Sequence, residues 1–210
     1  MHAWVELIHY LDASAWPARN ASGEVPNRTP FGIGDLAHHG VDVTFRPPLS
    51  GLSAKVARRV RARRGELEYV EALVSVGSPG RRSADVVLCW DEFTGIPAAG
   101  FTRLGGPPVV SGVQLLTDPD GRSPDFLRRA RSALSRMDAV FVQSHGMMSV
   151  MSSLWGVRPE KLHFVPFGVD PEWFRPVAGV DRSLVASVGD DPHRDHVTLV
   201  KALGEVRRRY

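Results

Sequence analysis

Three groups of residues have the types and spacing for chemistry. The first is Val188-Gly189-Asp190-Asp191-Pro192-His193-Arg194, where a glycine admits close backbone approach and an arginine follows. A planar, permanently charged guanidinium there suits a phosphate group. The second is Trp90-Asp91-Glu92 followed by Thr94-Gly95, which reads as the carboxyl end of a buried strand. Ligands of open α/β sheets gather at such ends; carboxylates simply facing solvent are the plainer alternative. Gln114 ends the next strand and can hydrogen-bond but cannot take up a proton at neutral pH, so no catalytic base is assigned to it. The third group, Pro30-Phe31-Gly32-Ile33-Gly34, opens a helix with Gly32 and Gly34 placed for close approach to phosphate or sugar. It lacks the third glycine of a dinucleotide fingerprint, and a tight turn uses the same residues.

Other candidates reduce to local structure. Asp118-Pro119-Asp120 imitates a metal-binding Asp–x–Asp, but its proline and Gly121 describe a turn. Eight histidines and one cysteine show no metal-ligand spacing, and neither a Gly–x–Ser–x–Gly elbow nor a Walker loop occurs. Ser144 before His145, and Asp195 near the last helix, read as helix caps. The run Lys55–Arg64, KVARRVRARR, gives a basic helix face with Leu52, Val56 and Val60 expected behind it on the sheet. Its functional alternative is attraction to anionic lipid head groups or an acidic glycan. Nucleic acid is not expected, because aromatic residues are not interleaved with these cations.

The elements that must position these groups follow from the apolar pattern. Runs suited to buried parallel strands lie at 3–10, 41–46, 85–90, 108–115, 138–143, 162–166 and 184–188. Helical stretches lie between them at 31–39, 52–64, 66–77, 95–103, 124–136, 145–155 and 195–208. Thr29 before Pro30 and Ser123 before Pro124 are capped starts, and Gly40 and Gly156 are left-handed stops. The alternation predicts an α/β, Rossmann-like, doubly wound parallel sheet. Three prolines and two glycines over 166–182 suggest an inter-domain linker. The boundaries expected are a first domain over 1–170, a linker over 171–182, and the start of a second domain over 183–210.

Composition narrows the class further. Of 26 basic residues only three are lysine, and the formal net charge is +3. A hydrophobic fraction of 43% predicts a packed core. The single cysteine, Cys89, cannot form an internal disulfide, which favours a reducing cytoplasm. The first apolar run is too short to span a bilayer and carries Glu6.

One stretch is more specific. Residues 139–176 run strand, Ser144, helix, Gly156, Lys161, strand, then Pro166-Phe167-Gly168-Val169-Asp170; a further apolar run ends in Val188-Gly189. This layout resembles the domain junction of retaining family 4 glycosyltransferases of the GT-B fold. The resemblance implies the N-terminal, acceptor-side half of such an enzyme, truncated after the start of its donor-binding domain. It implies metal-independent transfer of sugar, with retention, from a nucleoside-diphosphate sugar to an acceptor hydroxyl on a glycan, lipid or small molecule. It also implies that Gly189 and Arg194 hold the donor diphosphate, and that Gly32, Gly34, Asp91, Glu92 and Gln114 line the cleft. Asp190 stands where the family usually has arginine, and Trp90 and Gln114 where it often has histidine. The isolated chain is expected to be inactive. The alternative is a non-catalytic remnant that binds glycan or anionic lipid through residues 55–64, at the inner membrane face. A sugar-nucleotide epimerase would share the fold but not the junction.

Overall fold

The structure is a computed structural model and describes residues 1–117, 119–120, 122–176, 179, 184–187 and 195–209. They fall into two units, Met1–Trp173 and Phe174–Tyr210. The first unit holds one sheet of β1 (His2–Glu6), β2 (Asp42–Phe45), β3 (Val86–Cys89), β4 (Val109–Gly112), β5 (Ala139–Val142) and β6 (Leu162–Phe164). All neighbours run parallel, in the order β2-β1-β3-β4-β5-β6. Between strands lie α1 (Trp16–Ala21), α2 (Gly51–Arg63), α3 (Tyr69–Val76), α4 (Pro79–Arg82), α5 (Glu92–Gly100), α6 (Pro124–Arg136) and α7 (His145–Ser153). The expected Rossmann-like α/β sheet is what the chain forms.

Both faces of the sheet are covered. Trp4, Val87 and Cys89 enter a large core with Ile96, Ala130 and Leu134, whereas Val5, Leu88 and Trp90 enter a smaller one with Ile33 and Leu36. Successive strand side chains point to opposite faces, so a strand buried on both sides reads as an unbroken apolar run. The strand order reverses at β1: β2 is added on one side and β3 to β6 on the other. In open α/β sheets, ligands bind beyond the carboxyl ends of the strands at such a switch point.

Several elements depart from expectation for identifiable reasons. β1 ends at Glu6 because the chain turns beyond it, with the Leu11 amide donating to Ile8 O at 2.9 Å. The helix expected at 66 starts at Tyr69, since Gly65 and Glu66 both take left-handed φ angles of 66° and 64°. The segment Pro30–His39 is 3-10 rather than α, and kinks where Phe31 and Gly32 are left-handed. There Thr29 does not cap as expected; its hydroxyl accepts from the Gly34 amide at 2.8 Å instead. Ser144 likewise precedes α7 without a side-chain cap bond, whereas the Ser123 hydroxyl does accept from the Phe126 amide at the start of α6. α5 starts earlier than expected because Asp91 caps it. α1 and α4, six and four residues long, were too short to carry a period.

In the second unit, α8 (His196–Arg209) is the one element among the described residues. The Asp195 carboxylate accepts from the Thr198 amide at 2.9 Å, so it serves the helix start as expected. Leu184–Ser187, the described part of the strand expected over 184–188, is exposed and pairs with no strand among the described residues. A lone strand without a neighbour has no ladder to join.

Candidate functional site

At the carboxyl ends of β3 and β4, main-chain donors claim the carboxylates. Asp91 is the N-cap of α5, accepting from the Thr94 amide at 3.1 Å. Burial pushes its carboxyl up to about 6, although the Thr94 amide opposes this. Glu92 is buried and accepts from the amides of Gln114 at 2.9 Å and Leu115 at 2.8 Å. Neither is a solvated strand-end carboxylate. Glu92 fixes the path of the chain leaving β4, and Asp91 fixes the start of α5. Gly112 lets these strand ends meet, because a Cβ there would lie 2.1 Å from Trp90 O.

The glycine loop is drawn to the same edge. Phe31 stacks on Trp90 with centroids 4.2 Å apart and planes 8° apart, and Trp90 meets Phe141 edge-on at 5.9 Å. Phe31 remains 48% exposed. Gly32 has φ 68°, a left-handed backbone that disfavours a larger residue, and a Cβ there would lie 2.7 Å from the Asn27 side-chain amide, which would have to move. Gly34 would meet Thr29 at 2.8 Å. Thus Gly32, Asp91, Glu92 and Gln114 share one edge of the sheet. Gly189, Asp190, His193 and Arg194 lie outside the described residues, as do Asp118 and Gly121. Among the described residues no three His, Cys, Asp or Glu side chains gather as metal ligands would.

A cluster of buried ion pairs that the sequence reading missed lies at the ends of β1 and β2. Glu6, the last residue of β1, is buried and accepts from the Ser75 hydroxyl at 2.6 Å and from Arg81 at 3.0 Å. Ser75 in turn accepts from the Trp4 indole at 3.0 Å. Arg46, one residue past β2, donates to Leu7 O at 2.9 Å and to Glu68 at 3.0 Å. The other Glu68 oxygen accepts from the His9 amide at 2.5 Å and lies 3.0 Å from His9 Nδ1. Arg61 of α2 pairs with Glu71 of α3, both buried. Pro97 contributes from a distance: lacking an N–H, it frees Phe93 O, which accepts from the Glu68 amide at 3.0 Å.

Burial dominates the proton affinities here. It raises the Glu6 carboxyl against the pull of Arg81 and Ser75. It pushes Glu68 up to about 8, opposed by Arg46 and helped by the Glu71 charge. It lowers His9, and Arg61 adds to the effect. A cavity of ≈ 180 Å³ opens among His9, Arg46, Arg61 and Glu71, walled by Pro48, Leu49 and Ala54. The signal available in the sequence was the trio Glu6, Glu68 and Glu71, each set among apolar neighbours.

α2 also faces differently from expectation. Leu52 and Val56 are 76% and 43% exposed, while Ala57 and Arg61 are buried. Glu71 supplies the buried counter-charge that draws Arg61 inward, and the small Ala57 side chain permits close packing there. No helix among the described residues is long and apolar enough to cross a membrane.

The crystal structure of Anabaena Alr3699/HepE in complex with UDP shares 14% identity with a TM-score of 0.41, covering 81% of this chain and 45% of that one. The same protein in complex with UDP and glucose gives 18% and 0.41, covering 82% and 46%. Its complex with UDP-glucose gives 18% and 0.37, covering 82% and 45%. The chain therefore spans less than half the length of these structures. No curated protein sequence matches it. Residues 4–168, nearly the whole first unit, match the glycosyl transferase 4-like domain, and the chain belongs to that family.

Proposed function

We propose that this chain contributes the acceptor-side half of a retaining glycosyltransferase that uses a nucleoside-diphosphate sugar. The family match over residues 4–168 carries the reading. The crevice at the switch point between β1 and β3 is where such a fold places ligands. The Gly32–Gly34 loop and the Asp91, Glu92 and Gln114 edge form its wall. Gly189 and Arg194 hold the donor diphosphate, and Arg194 offsets the charge that develops as it leaves. Asp91 and Glu92 hold amide N–H groups, so they shape the cleft rather than remove the acceptor proton. Transfer proceeds by positioning and electrostatics, without a bound metal or a covalent protein nucleophile.

The test is release of nucleoside diphosphate from a panel of sugar donors, with the anomeric configuration of the product read by NMR. The 210-residue chain alone is expected to give no turnover, since the reading gives it only the acceptor-side half. A protein continued through a complete second α/β domain is expected to turn over with retention. Turnover by the short chain, or an inverted product, contradicts the corresponding part.

One observation favours a second, non-catalytic reading. Leu52 and Val56 are exposed on α2 beside exposed Lys55, Arg58, Arg59 and Arg63. An apolar stripe flanked by cations suits the surface of an anionic bilayer. Sedimentation with anionic vesicles, lost in Leu52→Ser, would support it; equal sedimentation with neutral vesicles would not.

A further inference from the structure

Phe31 is held in a strained position. Its backbone is left-handed, at φ 56° and ψ 16°, a region that a bulky residue adopts only where the surrounding structure fixes it. Glycine takes that conformation freely, yet the side chain at 31 is large, apolar and 48% exposed. One face of its ring lies parallel on Trp90, with centroids 4.2 Å apart and planes 8° apart. Trp90 is braced in turn by Phe141, edge-on at 5.9 Å. The rings form a column from the sheet to the surface, and the outer face of Phe31 is its open end. Trp90 follows β3 directly, so the column stands at the strand ends beside the switch point. Hydrogen-bonding groups flank it. A Cβ on Gly32 would lie 3.4 Å from the Asp35 carboxylate, which is exposed. Tyr10, 70% exposed, comes near the same edge: burial, and then the Asp91 charge, raise its phenol.

We propose that Phe31 is a platform for the acceptor, which lays against it the C–H face of a polyhydroxylated ring, a sugar or a cyclitol. The inference deepens the glycosyl transfer proposed above and rests on it. An aromatic face carries partial negative charge, and so attracts the axial C–H bonds of such a ring. The equatorial hydroxyls then point outward around the stack, where the Asp35 carboxylate accepts from one of them. An acyl chain would cover Phe31 but leave Asp35 without a donor, and would bring no hydroxyl to the transfer. Held flat by Trp90, the Phe31 ring loses little freedom when the acceptor arrives. Its left-handed backbone is the strain that this placement requires.

The test is proton–nitrogen NMR of the 210-residue chain, with the neighbouring Gly32 amide as the reporter. Methyl glucoside and methyl galactoside are titrated as sugar probes, and myo-inositol as the cyclitol probe. Sorbitol supplies hydroxyls without a ring, butanol an apolar surface without vicinal hydroxyls, and tetramethylammonium a cation for the aromatic face. At least one ring probe is expected to shift the amide, with a Kd on the order of 1–10 mM. Sorbitol, butanol and tetramethylammonium are expected to leave it in place. Phe31→Leu still covers Trp90 but offers no flat face, and should weaken ring binding about threefold or more. Phe31→Tyr should bind as the unaltered chain does. Equal shifts with sorbitol, butanol or tetramethylammonium, unchanged binding in F31L, lost binding in F31Y, or no shift with any ring probe each overturn the inference. The transfer assay is read separately: turnover without a ring shift removes only the platform, and a ring shift without turnover removes only the transfer reading.

Discussion

Two sets of buried carboxylates stand at the same edge of one sheet and are satisfied in opposite ways. Asp91 and Glu92, at β3, accept amide N–H groups and so spend their lone pairs on the fold. Glu6, Glu68 and Glu71, around β1 and β2, face arginines, and Glu68 accepts the His9 amide as well. The difference teaches what each carboxylate depends on. One bound only by amides fixes the path of the chain, whereas one facing a buried arginine stands or falls with its partner's charge.

Breaking this comparison by pH should have the largest effect. Glu68 holds its proton more tightly folded than unfolded, its carboxyl being pushed from 4.5 up to about 8. Its contribution is therefore fully present below about 4.5 and lost as pH rises through about 8, by up to about 5 kcal/mol. Asp91, raised from 3.8 to about 6, acts in the same sense over a lower window. Urea unfolding from pH 4 to 9 should show stability falling, and Glu68→Gln should flatten the upper part of the curve. A rise in stability over that range would contradict the assignment.

Next comes the pair between α2 and α3. Arg61→Ala strands the Glu71 charge in the interior and should cost about 3–5 kcal/mol in unfolding free energy. Replacing both, Arg61→Met with Glu71→Leu, should recover most of that loss, because the cost lies in the unpaired charge. Equal losses in the single and double variants would show that packing alone is at stake. Glu92→Ala removes the acceptor for two amides and should cost about 2–3 kcal/mol by the same measurement. Asp91→Ala, losing a helix cap, should cost about 1 kcal/mol. If Asp91→Ala proves costlier than Glu92→Ala, the cap is not its main role.

The strands were legible because burial on both faces leaves continuous apolar runs such as Val86–Cys89. Ser123 and Pro124 marked the start of α6 because they act locally, through one cap bond and one fixed φ. Other features depend on partners distant in the chain. Arg61 sits in a run of arginines, and nothing in that run distinguishes the one whose counter-charge arrives ten residues later. The left-handed Phe31 is unmarked in sequence because its ring stacks on Trp90, a contact only the fold creates. Asp91 and Glu92 were found as residues, but their partners are amides, which every residue type but proline carries and no sequence singles out.

The most direct measurement is the urea unfolding free energy of the unaltered chain and of Glu68→Gln, each taken at pH 5 and pH 9. The account predicts a large loss of stability in the unaltered chain between the two pH values and a much smaller one in Glu68→Gln. Equal losses in the two proteins would contradict it.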